Sequence, residues 1–148
     1  MELMTQSMQT IKATLAACPQ YEPESSMYFH GGMLMREVWR PAGVMVVGRR
    51  HKKEHLYIIL EGTVAITDGG GAKAVEAGPG TVIKSMPGTE RAVYALTDAR
   101  CLTVQRCDST TLEDAERELM EDDPDSLYTA DNKVKPGVLK LEPMEVLS

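Results

Sequence analysis

Between residues 44 and 67 the alternation of apolar and polar positions calls for strands. Val44-Met45-Val46-Val47 and Thr63-Val64-Ala65-Ile66-Thr67 are rich in β-branched residues, and His55-Leu56-Tyr57-Ile58-Ile59-Leu60 stands between them. This pattern predicts a first strand ending at His51, a second over 55–60, and a third entered through a turn at Glu61-Gly62. Side chains alternate faces on a strand, so Met45, Val47, Arg49 and His51 are expected on one side, with His55, Tyr57 and Ile59 on the matching side of the next strand. Two histidines and an arginine then gather at one end of an apolar face. As an interior, that face is a pocket with a polar mouth.

The flanking chain follows the same logic. Met4, Met8, Ile11 and Leu15 recur at helical spacing, and Cys18-Pro19 ends the pattern, which predicts an amphipathic helix within residues 1–20 that packs over the barrel's open end or meets a partner. Residues 19–26, with Pro19 and Pro23, read as a linker. Two short strands joined at Gly31-Gly32 follow over 27–40, where His30 reads as a turn or surface residue and Trp39 as core. Asp68-Gly69-Gly70-Gly71, Gly78-Pro79-Gly80, Met86-Pro87-Gly88 and Thr97-Asp98-Ala99-Arg100 are turns between further strands. Regular short strands of this kind predict an all-β sandwich or barrel, its last strand running from Cys101 to Gln105. Thr110 with Glu113 makes a capping box for a second helix, striped by Leu112, Ala115 and Leu119. An acidic break at 121–125 leads into a tail too apolar for a solvated linker.

Composition narrows the function classes. The chain has 148 residues, enough for one domain with a single core. A formal net charge of −6 argues against a general nucleic-acid binder or an anionic-membrane binder, both of which need a broad positive field. The Arg49-Arg50-His51-Lys52-Lys53 run is accordingly read as a solvated turn. Cys18, Cys101 and Cys107 form neither a disulfide framework nor a zinc motif, which points to a reducing compartment. With no signal peptide and no long apolar span, a cytoplasmic location is expected.

The stretch from Gly48 to Gly62 resembles the first cupin motif, in which a glycine precedes a His-x-His pair, an acidic residue follows, and a glycine closes the motif seven residues further on. Gly62 matches the closing glycine and His51 the second histidine, while Arg49 stands in the first histidine's place and His55 in the glutamate's. Gly80-Thr81-Val82-Ile83-Lys84-Ser85-Met86-Pro87-Gly88-Thr89-Glu90-Arg91 is similar to the second motif, with Arg91 at its histidine position. The resemblance covers residues 44–106 and implies an all-β, single cupin-type jelly-roll barrel over 27–108, with an N-terminal helix over 1–20, a short helix over 109–121 and an extended tail over 122–148. His51-Lys52-Lys53-Glu54-His55, Pro87-Gly88-Thr89-Glu90-Arg91-Ala92-Val93-Tyr94 and Leu112-Glu113-Asp114-Ala115-Glu116 are also similar to small cupin-like proteins of tailed bacteriophages, which implies a host cytoplasm or a virion as the setting.

Three function classes fit these residues. The favoured one is a non-catalytic structural or interaction protein without cofactor, a homo-oligomer or a component of a larger assembly. It would meet partners through residues 1–20 and 127–148, where Val138, Leu139, Leu141, Val146 and Leu147 add apolar surface. The second is a small-anion pocket of Arg49, His51, His55, Tyr57 and Arg91, since guanidinium pairs with carboxylate or phosphate, and lower pH would strengthen it as the histidines charge. The same cations could instead pair with Glu54, Glu90 or Glu37 and hold no ligand. The third is a metal-dependent cupin enzyme holding Fe, Mn, Zn or Ni on His51 and His55, with Glu54 or Glu90 as the carboxylate. Arginine in two ligand positions opposes it, because a permanent cation cannot ligate a metal. No catalytic residue is assigned.

Overall fold

The computed structural model describes residues 2–67 and 73–141. A 3-10 turn at Glu2–Thr5 precedes helix α1 (Met8–Ala16), and nine strands follow: β1 (Glu24–His30), β2 (Met33–Arg40), β3 (Met45–Val47), β4 (His55–Glu61), β5 (Val64–Thr67), β6 (Ala74–Ala77), β7 (Val82–Ser85), β8 (Ala92–Ala95) and β9 (Ala99–Arg106). Helix α2 (Leu112–Leu119) comes last. The expected turn at Asp68-Gly69-Gly70-Gly71 and the tail residues Val146 and Leu147 lie outside the described residues.

The strands form two antiparallel sheets, ordered β1-β2-β9-β4-β7 and β3-β8-β5-β6. Their facing sides supply the core. Ile59, Ala99 and Cys101 from the first sheet meet Val64, Ile66, Ala77, Val93 and Ala95 from the second, all buried, and Val46, Tyr57 and Ile83 pack against them. This is an all-β jelly roll with two short helices.

Each helix closes a separate satellite core. Ser7 caps α1, its hydroxyl accepting the amide of Thr10 (3.2 Å), so the predicted single helix is a short turn and a helix meeting at residues 6–7. Met4 and Ile11 are 1% and 0% exposed and pack with Ala65, Ala92, Met45, Val47 and Tyr94. The apolar stripe therefore lies on the outer face of the four-stranded sheet, not over the barrel's open end, because that outer face is itself apolar. Thr111, one residue later than expected, caps α2 by accepting the Asp114 amide (3.3 Å). Ala115 and Leu119 then bury against Leu34 and Cys107, with Met27 and Phe29 beside them.

Several expectations are corrected here. The first central strand stops at Val47, and residues 48–50 leave strand geometry, with the Gly48 amide donating to the Arg91 carbonyl (3.0 Å). Alternation does not carry through that break. Met45 and Val47 pack under α1 while Val46 joins the inner core. Strand β1 begins at Glu24, inside the predicted linker, and β9 at Ala99, inside the predicted turn. Trp39 is half-buried on the outward side of β2, since Arg36, Val38 and Arg40 take the inward positions.

Nor is the basic run a solvated turn. It clasps the end of α2: Arg49 Nη1 donates to Glu116 (2.5 Å), Lys52 Nζ to the Arg117 carbonyl (2.7 Å) and Lys53 Nζ to Glu118 (2.8 Å). Cations suit the electron-rich carbonyl end of a helix. Glu118 also accepts from the amides of Asp108 (3.0 Å) and Ser109 (2.9 Å) and from the Ser109 hydroxyl (2.6 Å). The Lys53 contact first, then these bonds, lower its pKa to about 2, so it stays a carboxylate at any ordinary pH.

Candidate functional site

A cavity of about 170 Å³ opens between the sheets, and Arg49, His51, His55, Tyr57 and Arg91 all line it. The inward positions of β4 supply His55 and Tyr57, the irregular stretch after β3 supplies Arg49 and His51, and Arg91 stands one residue before β8. Glu54 and Glu90 are not on the wall. Glu54 lines an outer groove beside Met33 and Lys84, and Glu90 pairs with Lys12 of α1 (3.0 Å). Among the described residues no group of three or more His, Cys, Asp or Glu side chains is placed to hold a metal ion. The proposed ligand set of His51, His55, Glu54 and Glu90 is thus divided between the cavity and the outside.

The cations find other partners than those read from sequence. Arg49 pairs with Glu116 and donates to the Glu121 carbonyl (2.7 Å), and Glu37 pairs with Arg100 (3.0 Å). Arg91 donates from Nη1 to the Thr67 carbonyl (2.8 Å) and from Nε to the Ser85 hydroxyl (3.3 Å).

The histidines stack, with ring centroids 4.0 Å apart and planes inclined by 24°. His51 Nδ1 donates to Oε1 of the buried Gln105 (2.9 Å), which leaves Nε2 as its basic nitrogen. Burial first, then His55, with Arg36 and Arg49 adding, lowers the His51 pKa to about 4 against the pull of Gln105. The pKa of His55 is also lowered, by burial and by Arg91, while the Lys53 backbone works the other way; its Nδ1 is buried with no partner in hydrogen-bonding geometry. Both rings are neutral near pH 7. The positive character of the site comes from its arginines.

Two of those arginines were not singled out from sequence. Arg36 and Arg40 sit on the inward face of β2 and line the cavity with the others. Arg36 donates to the Ala130 carbonyl (3.0 Å) and to Asn132 Oδ1 (3.3 Å), so the tail is drawn across the opening, where Ser126, Tyr128 and Asn132 complete the wall. Arg40 Nη1 donates to the Tyr57 hydroxyl (3.1 Å), and its Nε is buried with no partner among the described residues. Burial lowers the proton affinity of Arg40, but Tyr57, Cys101 and Tyr128 outweigh it, for a net upward shift. Burial pushes Tyr57 and Tyr128 up to about 12. At pH 7 Arg40 is a half-buried cation beside two neutral phenols. The signal available in sequence was the alternation Leu34, Arg36, Val38, Arg40, which places both arginines on a partly apolar face.

The tail is held to its own barrel beyond the cavity. Gln20 forms a parallel bridge to Lys140, the Tyr128 hydroxyl donates to the Tyr21 carbonyl (2.7 Å), and Lys140 pairs with Glu22 (3.0 Å). Leu139 and Leu141 remain 65% and 48% exposed. Among the described residues no helix is long and apolar enough to cross a membrane.

No protein-family model matches the sequence, and the search of curated proteins finds no similar one. Solved structures do resemble the fold. A cupin superfamily protein from Desulfitobacterium hafniense DCB-2 superposes with a TM-score of 0.51 at 17% identity, over 65% of this chain and 87% of that one. A conserved protein with a double-stranded β-helix domain from Klebsiella pneumoniae gives 0.51 at 13% identity, over 61% of this chain and 81% of its own. The DMSP lyase DddQ from Ruegeria pomeroyi DSS-3 gives 0.52 at 20% identity, over 61% of this chain and 49% of the lyase. Such identities speak to fold alone, and the neighbours include an enzyme as well as proteins with no activity in their names. Two antiparallel sheets facing each other across a cavity, with cupin superfamily proteins as structural neighbours, give this chain the cupin jelly-roll fold.

Proposed function

We propose that the protein binds a small anion in the cavity between its sheets, through guanidinium groups and not through a metal. One observation carries this reading: Arg36, Arg40, Arg49 and Arg91 line the wall, and among the described residues no Asp or Glu does. Glu116 offsets the charge of Arg49, but the guanidiniums facing this one small space still repel each other, and an anion relieves that repulsion. A metal ion would add to the repulsion.

Thermal melts with phosphate, sulfate, acetate and benzoate, each at matched ionic strength, test this. A ligand at a hundred times its Kd stabilises the folded state by about 2.7 kcal/mol, which for a chain of this size is a rise of roughly 5–10 °C. No shift beyond a sodium chloride control for any of the four contradicts the reading. For sulfate, acetate and benzoate, which keep their charge there, the affinity is expected to be flat between pH 7 and 8, because arginine does not titrate, His55 is shifted below its ordinary value and His51 takes a proton only near pH 4. The strengthening at lower pH expected from sequence moves to that acid range.

A second reading, a non-catalytic assembly protein of a phage virion or a similar particle, draws on the exposed Leu139 and Leu141 and on the resemblance to phage cupin-like proteins. A full-length monomer by light scattering at micromolar concentration counts against self-assembly.

A further inference from the structure

The cavity can be read for the body of its ligand as well as for its charge. At about 170 Å³ it is larger than an inorganic anion needs; a dry cavity of roughly 150 Å³ accommodates a benzene molecule. Its wall is also chemically divided. Val38 and Cys101 from the five-stranded sheet face Val46, Ile66 and Val93 from the four-stranded sheet, and among these side chains the weakly hydrogen-bonding Cys101 thiol is the single polar group.

Among the arginines, Arg40 adjoins that apolar part with terminal nitrogen capacity left. Both terminal nitrogens of Arg36 are engaged, by the tail and Met27, and both of Arg49, by Glu116 and the Glu121 carbonyl, although Arg49 Nε, like Arg40 Nε, has no partner among the described residues. Arg40 has five N–H donors, and its hydrogen bond among the described residues is the one to Tyr57, with Nε left unpartnered. No carboxylate pairs with it among the described residues. It shares the inward face of its strand with Val38, so cation and apolar surface adjoin.

Building on the anion-binding reading, we infer that the ligand is a small hydrophobic monocarboxylic acid whose body is about the size of a benzene ring, its carboxylate on Arg40 and Tyr57 and its body against Val38, Val46, Ile66 and Val93. The carboxylate fills the free fork and accepts from the phenol. The body displaces poorly held water from the apolar part of the cavity.

Isothermal titration of the full chain with benzoate, cyclohexanecarboxylate, acetate, inorganic phosphate and benzyl alcohol decides the matter. The ring acids are expected to bind at least tenfold tighter than acetate or phosphate, and benzyl alcohol, which has the body without the charge, at least tenfold weaker than benzoate. Arg40→Met should weaken benzoate at least tenfold. Tyr57→Phe, a smaller change, should weaken it about threefold or more through the lost phenol bond, and it carries the test if Arg40→Met does not fold. Acetate or phosphate binding as tightly as benzoate, or benzoate affinity within twofold of wild type in both variants, overturns the inference and leaves the anion reading standing. If none of the four anions binds, the anion reading falls and the inference with it.

Discussion

Gly62→Ala is expected to cost about 4 kcal/mol or more, from a strained backbone and a side chain without room. Gly62 has φ +77°, and a Cβ there would lie 2.0 Å from the Asp98 carbonyl oxygen, 2.8 Å from Thr97 Oγ1 and 2.9 Å from the Ala99 Cα. Two of those three atoms are backbone, so no rotamer relieves the clash. The turn between β4 and β5 is locked there to the turn between β8 and β9: the Thr63 amide donates to Thr97 Oγ1 (2.9 Å) and the Thr63 carbonyl accepts from the amides of Leu96 (3.0 Å) and Thr97 (3.2 Å). Against a total stability of about 5–15 kcal/mol, such a loss leaves the protein marginal. Gly80→Ala is the control. It has φ +86° but nothing within 4 Å of a new Cβ, so about 1–2 kcal/mol of backbone strain is expected. Urea midpoints of the two variants separate clash from strain, and equal losses would mean that the Asp98 contact relaxes freely.

Arg40→Met is expected to stabilise the ligand-free protein by about 1–3 kcal/mol while it removes binding. A half-buried cation with no carboxylate partner among the described residues is costly, and Met keeps most of its length and apolar contact without the charge. The change removes the donor to the Tyr57 hydroxyl, which offsets about 1 kcal/mol of the gain. This opposition distinguishes a binding residue from a structural one. Urea titrations of both proteins in an anion-poor buffer measure it, and a variant less stable than wild type would show that Arg40 is compensated within the chain.

Local pattern and long-range register divided what the sequence could tell. The alternation through β4, and the motif spacing that tied Arg49, His51 and Arg91 to it, were enough to collect five side chains on one cavity wall, because each depends on position within a strand or on a turn next to it. Arg36 and Arg40 escaped notice although their strand also alternates. What brings Arg40 to Tyr57 is the order β2-β9-β4, two pairings between elements distant in sequence. The same holds for the clasp of Arg49, Lys52 and Lys53 on Glu116, the Arg117 carbonyl and Glu118. A run of five basic residues looks solvated until the helix about 65 positions later supplies its partners. The inside-outside assignment of Met45 and Val47 failed for a different reason: strict period-two reading has no means of seeing a strand stop one residue before Gly48. The tail was read as surplus apolar surface. Its polar groups Ser126, Tyr128 and Asn132 are the ones that reach the cavity among the described residues.

A crystal structure of the protein grown or soaked in sodium bromide, with data collected at the bromine absorption edge, locates anions directly. Bromide is expected in the cavity within about 3.5 Å of a guanidinium nitrogen of Arg40 or its neighbours on the wall. Bromide found at surface arginines such as Arg117 and Arg106 but not between the sheets would contradict the placement of an anion site in this cavity.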